Sequence, residues 1–469
     1  MAALTQPPAP DDAPSARVVI VGLGPGDPQH LTAAARHALD AVEVVHVRTA
    51  RHPAVQALLA GRRFVACDDL YEAGLTFDAV YDAIAERLLE AARLGPIVYA
   101  VPGDPSVGET SVRRLRAAAE AAGIRTTSVP GVSFIGPTLD LLGWDALDGL
   151  QLADATALAA RHHPDLDPDR PALVAQLYGR LVASDVKLVL LNQYPDDHPV
   201  TLVSGAATSS PRVATLPLHA LDRRDDLDDL TTLAVPPLAH ARGSLLTLAD
   251  VVARLRAPDG CPWDREQTHA SLRPYLLEEA HEALDALDAG DAAALGDELG
   301  DLLLQVVLHA QIAVEEGDFS LADVVRGITE KLIRRHPHVF GDVQAVTSAA
   351  VVANWEALKA EERAERGQAA DPLAGVPRGL PALARAQAIL RKGRRAGEPA
   401  QTADPAADLA AAAARLGADP SMAPLGDLLL AAVRLAVAHE LDAESALREA
   451  TARQAAGMPP SEHAEGDAT

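Results

Sequence analysis

Glu279 and Glu282 stand three residues apart, and Glu298 and Asp301 repeat that spacing after a short interval. On a helix such residues are neighbours, with Cβ atoms about 5–6 Å apart, so each pair presents two carboxylates on one face. The first run, LLEEAHEALDALD from Leu276, reads alone as an amphipathic helix: Leu276, Leu277, Leu284 and Leu287 share one side, and Glu278, Glu282 and Asp285 lie opposite. The second run changes the reading. Leu299, Leu302, Leu303, Leu304, Val306, Val307, Leu308 and Ile312 point around nearly the whole circumference. That pattern predicts a helix buried among others, with Glu298 and Asp301 denied easy access to water. Like charges held off bulk solvent repel, and each costs on the order of several kcal/mol to desolvate unless neutralised. A divalent cation neutralises them, and four carboxylates suit hard, octahedral Mg²⁺, with Mn²⁺ as a substitute. The joint DAGDAAALGD is short enough for antiparallel neighbours, so Glu279 with Glu282 and Glu298 with Asp301 can converge across one interface. A solvated acidic face is the competing reading. Glu278 stays open between completing the metal shell, orienting a water and remaining solvated.

The rest of the chain is ordinary in hydropathy and acidic in sum. Its 469 residues leave room for several domains, and with only 3% aromatic residues the cores fall to Ala, Leu and Val. Lys and Arg number 41 against 66 Asp and Glu, a net charge of -25. Such a balance opposes stable binding to nucleic acid or an anionic membrane and favours cations and small ligands in local pockets. Cys67 and Cys261 are the only cysteines and form no CxxC, which excludes a disulfide framework and fits a reducing cytoplasm. The opening MAALTQPPAPDDAPSA lacks the basic and apolar regions of a signal peptide, and no run reaches about 18 apolar residues, so neither export nor a membrane span is expected.

Elements that could position the acids follow from the patterning. Residues 1–16 and 458–469 have the composition of disordered tails. From 17 to 240 the runs RVVIVGLG, AVEVVHVR, PIVYAVPG, TTSVPG and VKLVLLNQ read as strands alternating with helices, which predicts an α/β domain. DDLTTLAVPPLAHARGS reads as the end of that domain and a linker. An all-α bundle is expected over 245–361 and, after the break RGQAADPLAGVPRGLP, a second helical module over 375–457. In that module APLGDLLLAAVRLAVAHE echoes DELGDLLLQVVLHAQIAVEE as a degenerate repeat. Pro424 replaces Glu298, Asp427 stands opposite Asp301, and no EExxE precedes them, so this module is expected to be metal-free and structural or dimerising.

LLEEAHEALD followed by DELGDLLLQ resembles the EExxE...ExxD signature of the MazG family of all-α nucleoside triphosphate pyrophosphohydrolases. GCPWDREQTHASLRPYLLEEA and KLIRRHPHVFGDV are similar to the family's flanking blocks, and the likeness covers about 245–361. The resemblance implies a dimeric helical bundle that uses Mg²⁺ to cleave nucleoside triphosphates to monophosphate and pyrophosphate. Glu278, Glu279, Glu282, Glu298 and Asp301 would then be the catalytic acids. Lys331 and Arg335 are i,i+4 neighbours and, with Arg334, offer a point charge and a planar fork to a polyphosphate. A solvated basic helix end is the alternative there. Trp355 and Lys359 repeat the spacing, and the resemblance places such a pair near substrate. Trp263 of CPWD is either a packing anchor or a base contact, and His336 and His338 flank a turn at Pro337.

In VVIVGLGPGDPQHLT, Gly22, Gly24 and Gly26, with Asp27, make a strand-to-helix turn that lets backbone approach a ligand. Its spacing is not that of a dinucleotide fingerprint. VYAVPGDPSVGETS, with Pro102, Gly103, Asp104 and Pro105, and SVPGVSFIGPTLDLLG follow in order, and together the three turns resemble the tetrapyrrole methylases. The resemblance implies a mixed α/β fold that binds S-adenosylmethionine between two lobes. SVGETS departs from the aromatic continuation of active tetrapyrrole methylases, and LLNQYP replaces a later block. The expected architecture is thus an N-terminal α/β methylase-like domain, an all-α MazG-type bundle and a degenerate second helical module. Three functions compete: Mg²⁺-dependent nucleoside triphosphate hydrolysis by a homodimer or higher homo-oligomer; methyl transfer to a tetrapyrrole-like acceptor, with the helices accessory; and a non-catalytic dimerisation scaffold.

Overall fold

The computed structural model describes residues 18–58, 61–73, 76–239, 242–341, 343, 347, 351, 358, 375–395 and 404–456. The two expected tails, Trp355 and Lys359 lie outside the described residues. The chain divides into two compact units, residues 1–322 and 323–469.

The first unit opens with a five-stranded parallel sheet. Its strands are β1 (Val18–Gly22), β2 (Val44–Val47), β3 (Arg63–Ala66), β4 (Ile97–Val101) and β5 (Thr126–Val129), in the order β3-β2-β4-β1-β5. β1 and β4 are apolar along nearly their whole length because helices cover both faces. Those helices are α1 (Ala33–Asp40), α2 (Pro53–Leu58), α3 (Asp68–Glu72), α4 (Phe77–Leu94), α5 (Thr110–Ala121) and α6 (Ile135–Leu142). Val18, Ile20, Tyr99, Ile84, Leu88 and Leu115 form the core on one face, and Val21, Val45, Val98, Leu39 and Val55 that on the other.

A second, mixed sheet follows, made of β6 (Gln151–Asp154), β7 (Ala172–Ala175), β8 (Pro199–Ser204), β9 (Arg212–Pro217) and β10 (Thr231–Val235), in the order β6-β7-β10-β8-β9. Helices α7 (Ala155–Ala159) and α8 (Arg180–Leu190) pack with it. One expectation needs correction here. VKLVLLNQ is not a strand: α8 covers most of it, because Ala183, Val186, Val189 and Leu190 recur at helical spacing and are the residues buried. TTLAV forms β10, buried throughout and held between β7 and β8.

The chain then turns helical, with α9 (Leu245–Arg256), α10 (Pro262–Glu266), α11 (Arg273–Ala289) and α12 (Ala292–Glu316). Asp169, from the loop before β7, accepts hydrogen bonds from Gly243 N (2.8 Å), Ser244 N (3.3 Å) and the Thr247 hydroxyl. One carboxylate therefore fixes the start of α9 to the second sheet. Val252 of α9 packs with Val307, Leu308 and Ile312 of α12 and with Leu272, just before α11, in one core.

Helix α13 (Leu321–Arg335) runs into the second unit and is followed by α14 (Pro337–Phe340), so His336 and Pro337 make the joint between two helices. The second helical module consists of α15 (Ala382–Arg395), α16 (Pro405–Ala418), α17 (Met422–Ala438) and α18 (Ala443–Ala456). Pro424 sits in the first turn of α17, where a missing N–H costs nothing. Buried Gln387 closes the module, donating to Leu441 O (2.9 Å) and accepting from Ala443 N (2.8 Å). Among the described residues, no single helix is long and apolar enough to cross a membrane.

The parallel sheet depends on backbones meeting at its carboxyl ends. A Cβ on Gly131 would come within 2.2 Å of the Gly103 carbonyl oxygen and 2.8 Å of the Gly22 carbonyl carbon. Gly131→Ala should therefore force apart the segments that follow β1, β4 and β5, destabilising the domain by about 1–3 kcal/mol. Thermal unfolding reads this, and an unchanged midpoint would contradict the close approach.

Candidate functional site: an acidic helical hairpin

Helices α11 and α12 are joined by only Gly290 and Asp291. Gly290 takes the left-handed conformation (φ 68°) that closes α11, and the Asp291 side chain accepts from Ala293 N and Ala294 N (3.0 and 3.1 Å) to open α12. So tight a turn makes the hairpin symmetric in height. Glu282 lies eight residues before Gly290 (290 − 282) and Glu298 eight after it (298 − 290); Glu279 and Asp301 lie eleven before (290 − 279) and eleven after (301 − 290). At equal helical rise, each acid of α11 faces a partner at its own level on α12.

The side chains converge accordingly. Carboxylate oxygens of Glu279, Glu282 and Glu298 all lie within 4.8 Å of one another. Burial, then the charges of Asp301 and Glu282, a hydrogen bond with Glu282 and the charge of Glu298, hold the Glu279 carboxyl above the usual range. Burial, then Glu282, Asp301 and Asp297, do the same to Glu298. Asp301 thus acts on both, although it is exposed. Glu278 is exposed and lies outside the three-carboxylate cluster.

The expected burial of α12 is only partly observed. Val307, Leu308, Ile312 and Ala313 are buried, but Leu299 (52%) and Leu303 (42%) are exposed, as are Leu276, Leu277, Leu284 and Leu287 on α11. Among the described residues, α9 and α11 make the main contacts with α12, and Leu299 and Leu303 at its acid-bearing end stay uncovered. Water therefore reaches the carboxylates, and their raised proton affinity reflects crowding as well as burial.

Three further contacts support the hairpin. Arg256, whose side chain is only 6% exposed, donates to Glu315 near the end of α12 (2.9 Å from Nε, 2.7 Å from Nη2). It also donates to the carbonyls of Asp264 and Gln267 (3.2 Å to the latter), so one guanidinium fastens the CPWD block to α12. Trp263 of that block is half exposed and packs edge-on against Tyr275, one turn before Glu278 and Glu279 (5.9 Å between centroids). His269 and His309 stack with Nδ1 atoms 2.7 Å apart, a pairing no motif announced.

Lys331, Arg334 and Arg335 lie on α13 within the second unit, with Lys331 and Arg334 exposed and Arg335 half-buried. In the N-terminal domain the expected glycine turns do meet. Gly24 (φ 80°) and Gly103 (φ 65°) exchange backbone hydrogen bonds (3.2 and 2.8 Å), and Asp104 accepts from Gly131 N (3.0 Å). A Cβ on Gly103 would enter open space, so the turn leaves room above the sheet. Asp27 caps the short helical turn Pro28–His30 and donates its own N–H to Ala207 O (3.0 Å), linking the two sheets. Gly22, Gly26, Pro102 and Pro105 complete the same turns at the carboxyl ends of β1 and β4.

Residues 267–340 match the MazG nucleotide pyrophosphohydrolase domain, and residues 17–222 match the tetrapyrrole (corrin/porphyrin) methylases. The chain is 40% identical over 379 residues to the uncharacterized protein YabN of Bacillus subtilis, covering 79% of this chain and 76% of that protein. It is 44% identical over 214 residues to the nucleoside triphosphate pyrophosphohydrolase of Escherichia coli strain K12, covering 43% of this chain and 81% of that one. Against the nucleoside triphosphate pyrophosphohydrolase/pyrophosphatase MazG of Thermotoga maritima, identity is 40% over 215 residues, covering 44% of this chain and 80% of that one.

Crowded carboxylates oppose folding once ionised. Because Glu279 and Glu298 hold protons more tightly in the folded chain, the cluster's contribution to stability is lost as pH rises above the usual carboxylate range. Glu298→Gln should therefore raise the unfolding midpoint of metal-free protein near neutral pH, and Mg²⁺ should stabilise the parent but not the variant. Thermal scans with and without Mg²⁺ test this, and equal stabilisation of both proteins would remove Glu298 from the cation site.

Proposed function

We propose a nucleotide-hydrolysing function for this chain, which belongs to the MazG nucleotide pyrophosphohydrolase family and carries a tetrapyrrole methylase domain at its N-terminus. It hydrolyses nucleoside triphosphates to monophosphates and pyrophosphate. The observation that carries this reading is the convergence of Glu279, Glu282 and Glu298 within 4.8 Å on a two-residue hairpin, with the Asp301 charge acting on Glu279 and Glu298. An all-oxygen donor set with surplus negative charge fits a hard divalent cation, Mg²⁺ or in its place Mn²⁺. Glu279, Glu282, Glu298 and Asp301 would hold it. When bound, such a cation withdraws charge from phosphate oxygens and lowers the pKa of water.

The remaining steps belong to the protein. Glu278, exposed beside the cluster, orients the attacking water toward the α-phosphorus. Attack forms one P–O bond and breaks the α–β bridge, so pyrophosphate leaves with the bridging oxygen. Lys331 and Arg335, at i,i+4 on α13, with Arg334 beside them, take the negative charge of the β- and γ-phosphates. Trp355 and Lys359 are assigned to the substrate on family likeness alone. The leucines left exposed on α11 and α12 support a homodimer in which a second copy covers them. Chemistry aimed at metal and phosphate rather than at a base fits a broad range of nucleotides and a housecleaning role in the nucleotide pool.

A second activity has one observation in its favour: the meeting of the Gly24, Gly103 and Gly131 turns at the carboxyl ends of parallel strands, with open space above Gly103. This arrangement fits S-adenosylmethionine, with methyl transfer to a tetrapyrrole-like acceptor as the reaction. Calorimetric titration of the full chain with S-adenosylmethionine should show one site per chain, and absence of heat at millimolar ligand would end the reading.

The hydrolase is tested by resolving products after incubation with a panel of nucleoside triphosphates, with and without Mg²⁺. Equimolar monophosphate and pyrophosphate are expected, only with metal; diphosphate and phosphate would overturn the assignment. In the same assay Glu298→Gln should lose about 100-fold or more of its rate, since even outer-shell partners of metal ligands cost 10–100-fold. Lys331→Ala should lose roughly 10-fold or more in kcat/KM, the value of one charge-assisted hydrogen bond.

A further inference from the structure

The first sheet carries a second charged site that the hydrolase does not use. Arg48 follows β2 and Glu109 stands just before the first residue of α5, and the two approach at the carboxyl ends of adjacent strands β2 and β4, with Arg48 Nη1 3.4 Å from Glu109 Oε1. The Glu109 side chain is almost sealed (4% exposed), whereas 26% of the Arg48 side chain still meets solvent. Arg48 Nε is buried and has no hydrogen-bond partner among the described residues. A guanidinium carries five N–H donors in a planar fork, and burying one without an acceptor is costly, so this fork is short of an oxyanion.

Its surroundings limit what the oxyanion can be. Ser111 donates to Glu109 (3.3 Å) and receives the Tyr99 hydroxyl (2.9 Å). Burial holds the Tyr71, Tyr81 and Tyr99 phenols above their ordinary value and pushes the Cys67 thiol up to about 11. Burial and then the Arg48 charge push His52 down to about 4, and its Nδ1 accepts from Ala54 N (3.3 Å). Asp154 and Tyr178 of the second sheet act on Tyr81. Gln176, held at φ 64°, donates to Gly108 O (3.2 Å) beside Glu109. The pair therefore lies where the two sheets meet, and among the described residues Arg48 supplies the charge that acts on Glu109. Burial pushes the Glu109 carboxyl up to about 7, so it can take a proton near neutrality at little cost. With Glu109 protonated the site carries one positive charge, which balances a carboxylate and not a phosphate dianion.

We propose that Arg48 binds the carboxylate of a small-molecule ligand of the N-terminal domain, and that Glu109 gives up its place at the guanidinium and takes up one proton as the ligand enters. No bond is made or broken beyond this protonation. The carboxylate belongs either to the amino-acid end of a methyl donor or to an acceptor substrate, and the experiment separates these.

Trifluoroacetate is a suitable probe because it stays ionised throughout the range and reports by fluorine NMR. Titrated into the full-length protein, it should broaden saturably, bind about tenfold more weakly at about pH 8 than at about pH 6, and be displaced by propionate better than by inorganic phosphate. Arg48→Met should abolish the broadening. Glu109→Gln, which keeps the shape and removes the titration, should bind with no pH dependence; this arm stands even if Arg48→Met does not fold. No saturable broadening, binding that survives Arg48→Met, a pH dependence that survives Glu109→Gln, or phosphate competing as well as propionate would each overturn the proposal. Displacement of the probe by S-adenosylhomocysteine assigns the carboxylate to the donor, and simultaneous binding assigns it to the acceptor; both uphold the site.

Discussion

Repulsion among carboxylates on the α11–α12 hairpin is the constraint around which the helical region is organised. Glu279, Glu282 and Glu298 lie within 4.8 Å, and the charge of Asp301 acts on Glu279 and Glu298. The hairpin cannot relieve them by opening, since only two residues join its helices. The strain is local and held from outside. Arg256 fastens the CPWD block to the far end of α12, and Val252 of α9 packs against Val307, Leu308 and Ile312. The end of α12 distant from the acids is thus rigid, while the acid end stays open to water and ligand.

The N-terminal domain solves the opposite problem, in which backbones rather than charges crowd. Gly22, Gly103 and Gly131 approach so closely that a methyl group on Gly22 or Gly131 would collide with backbone. That contact leaves three turns at the carboxyl edge of the parallel sheet, the place where open α/β sheets take ligands. Arg48 and Glu109 lie at the same edge, one strand further over. A buried ion pair seldom adds stability, because desolvation offsets attraction. A loose pair with an unpartnered guanidinium nitrogen is better understood as a binding element. Asp169 connects the second sheet to the helical hairpin's support, gripping the first turn of α9 through three donors.

Much of this was legible in the linear chain, for physical reasons that differ by region. Spacings of three residues within LLEEAHEALD and DELGDLLLQ place carboxylates on helix faces whatever the context, since helix geometry is local. The α/β character of the first domain is likewise written in β1, β2, β4 and β5, whose runs are short, β-branched and punctuated by glycine. Where apolar residues run together, period becomes ambiguous: VKLVLLNQ read as strand folds as helix.

Tertiary structure decided what sequence spacing cannot reach. That Glu282 meets Glu298 depends on a turn at Gly290 and Asp291, tighter than the joint DAGDAAALGD suggested, which sets both acids at equal height. That Leu299 and Leu303 stay exposed depends on how few helices surround α12, whereas a helical wheel records only direction. The meetings of Arg48 with Glu109, Arg256 with Glu315 and His269 with His309 join residues 40 to 61 positions apart (309 − 269, 315 − 256, 109 − 48). Sequence determined which chemistry each helix and turn could offer, because residue type and local periodicity are properties of the chain. Which groups share a site was left to packing, because distance across a fold is set by every element between them.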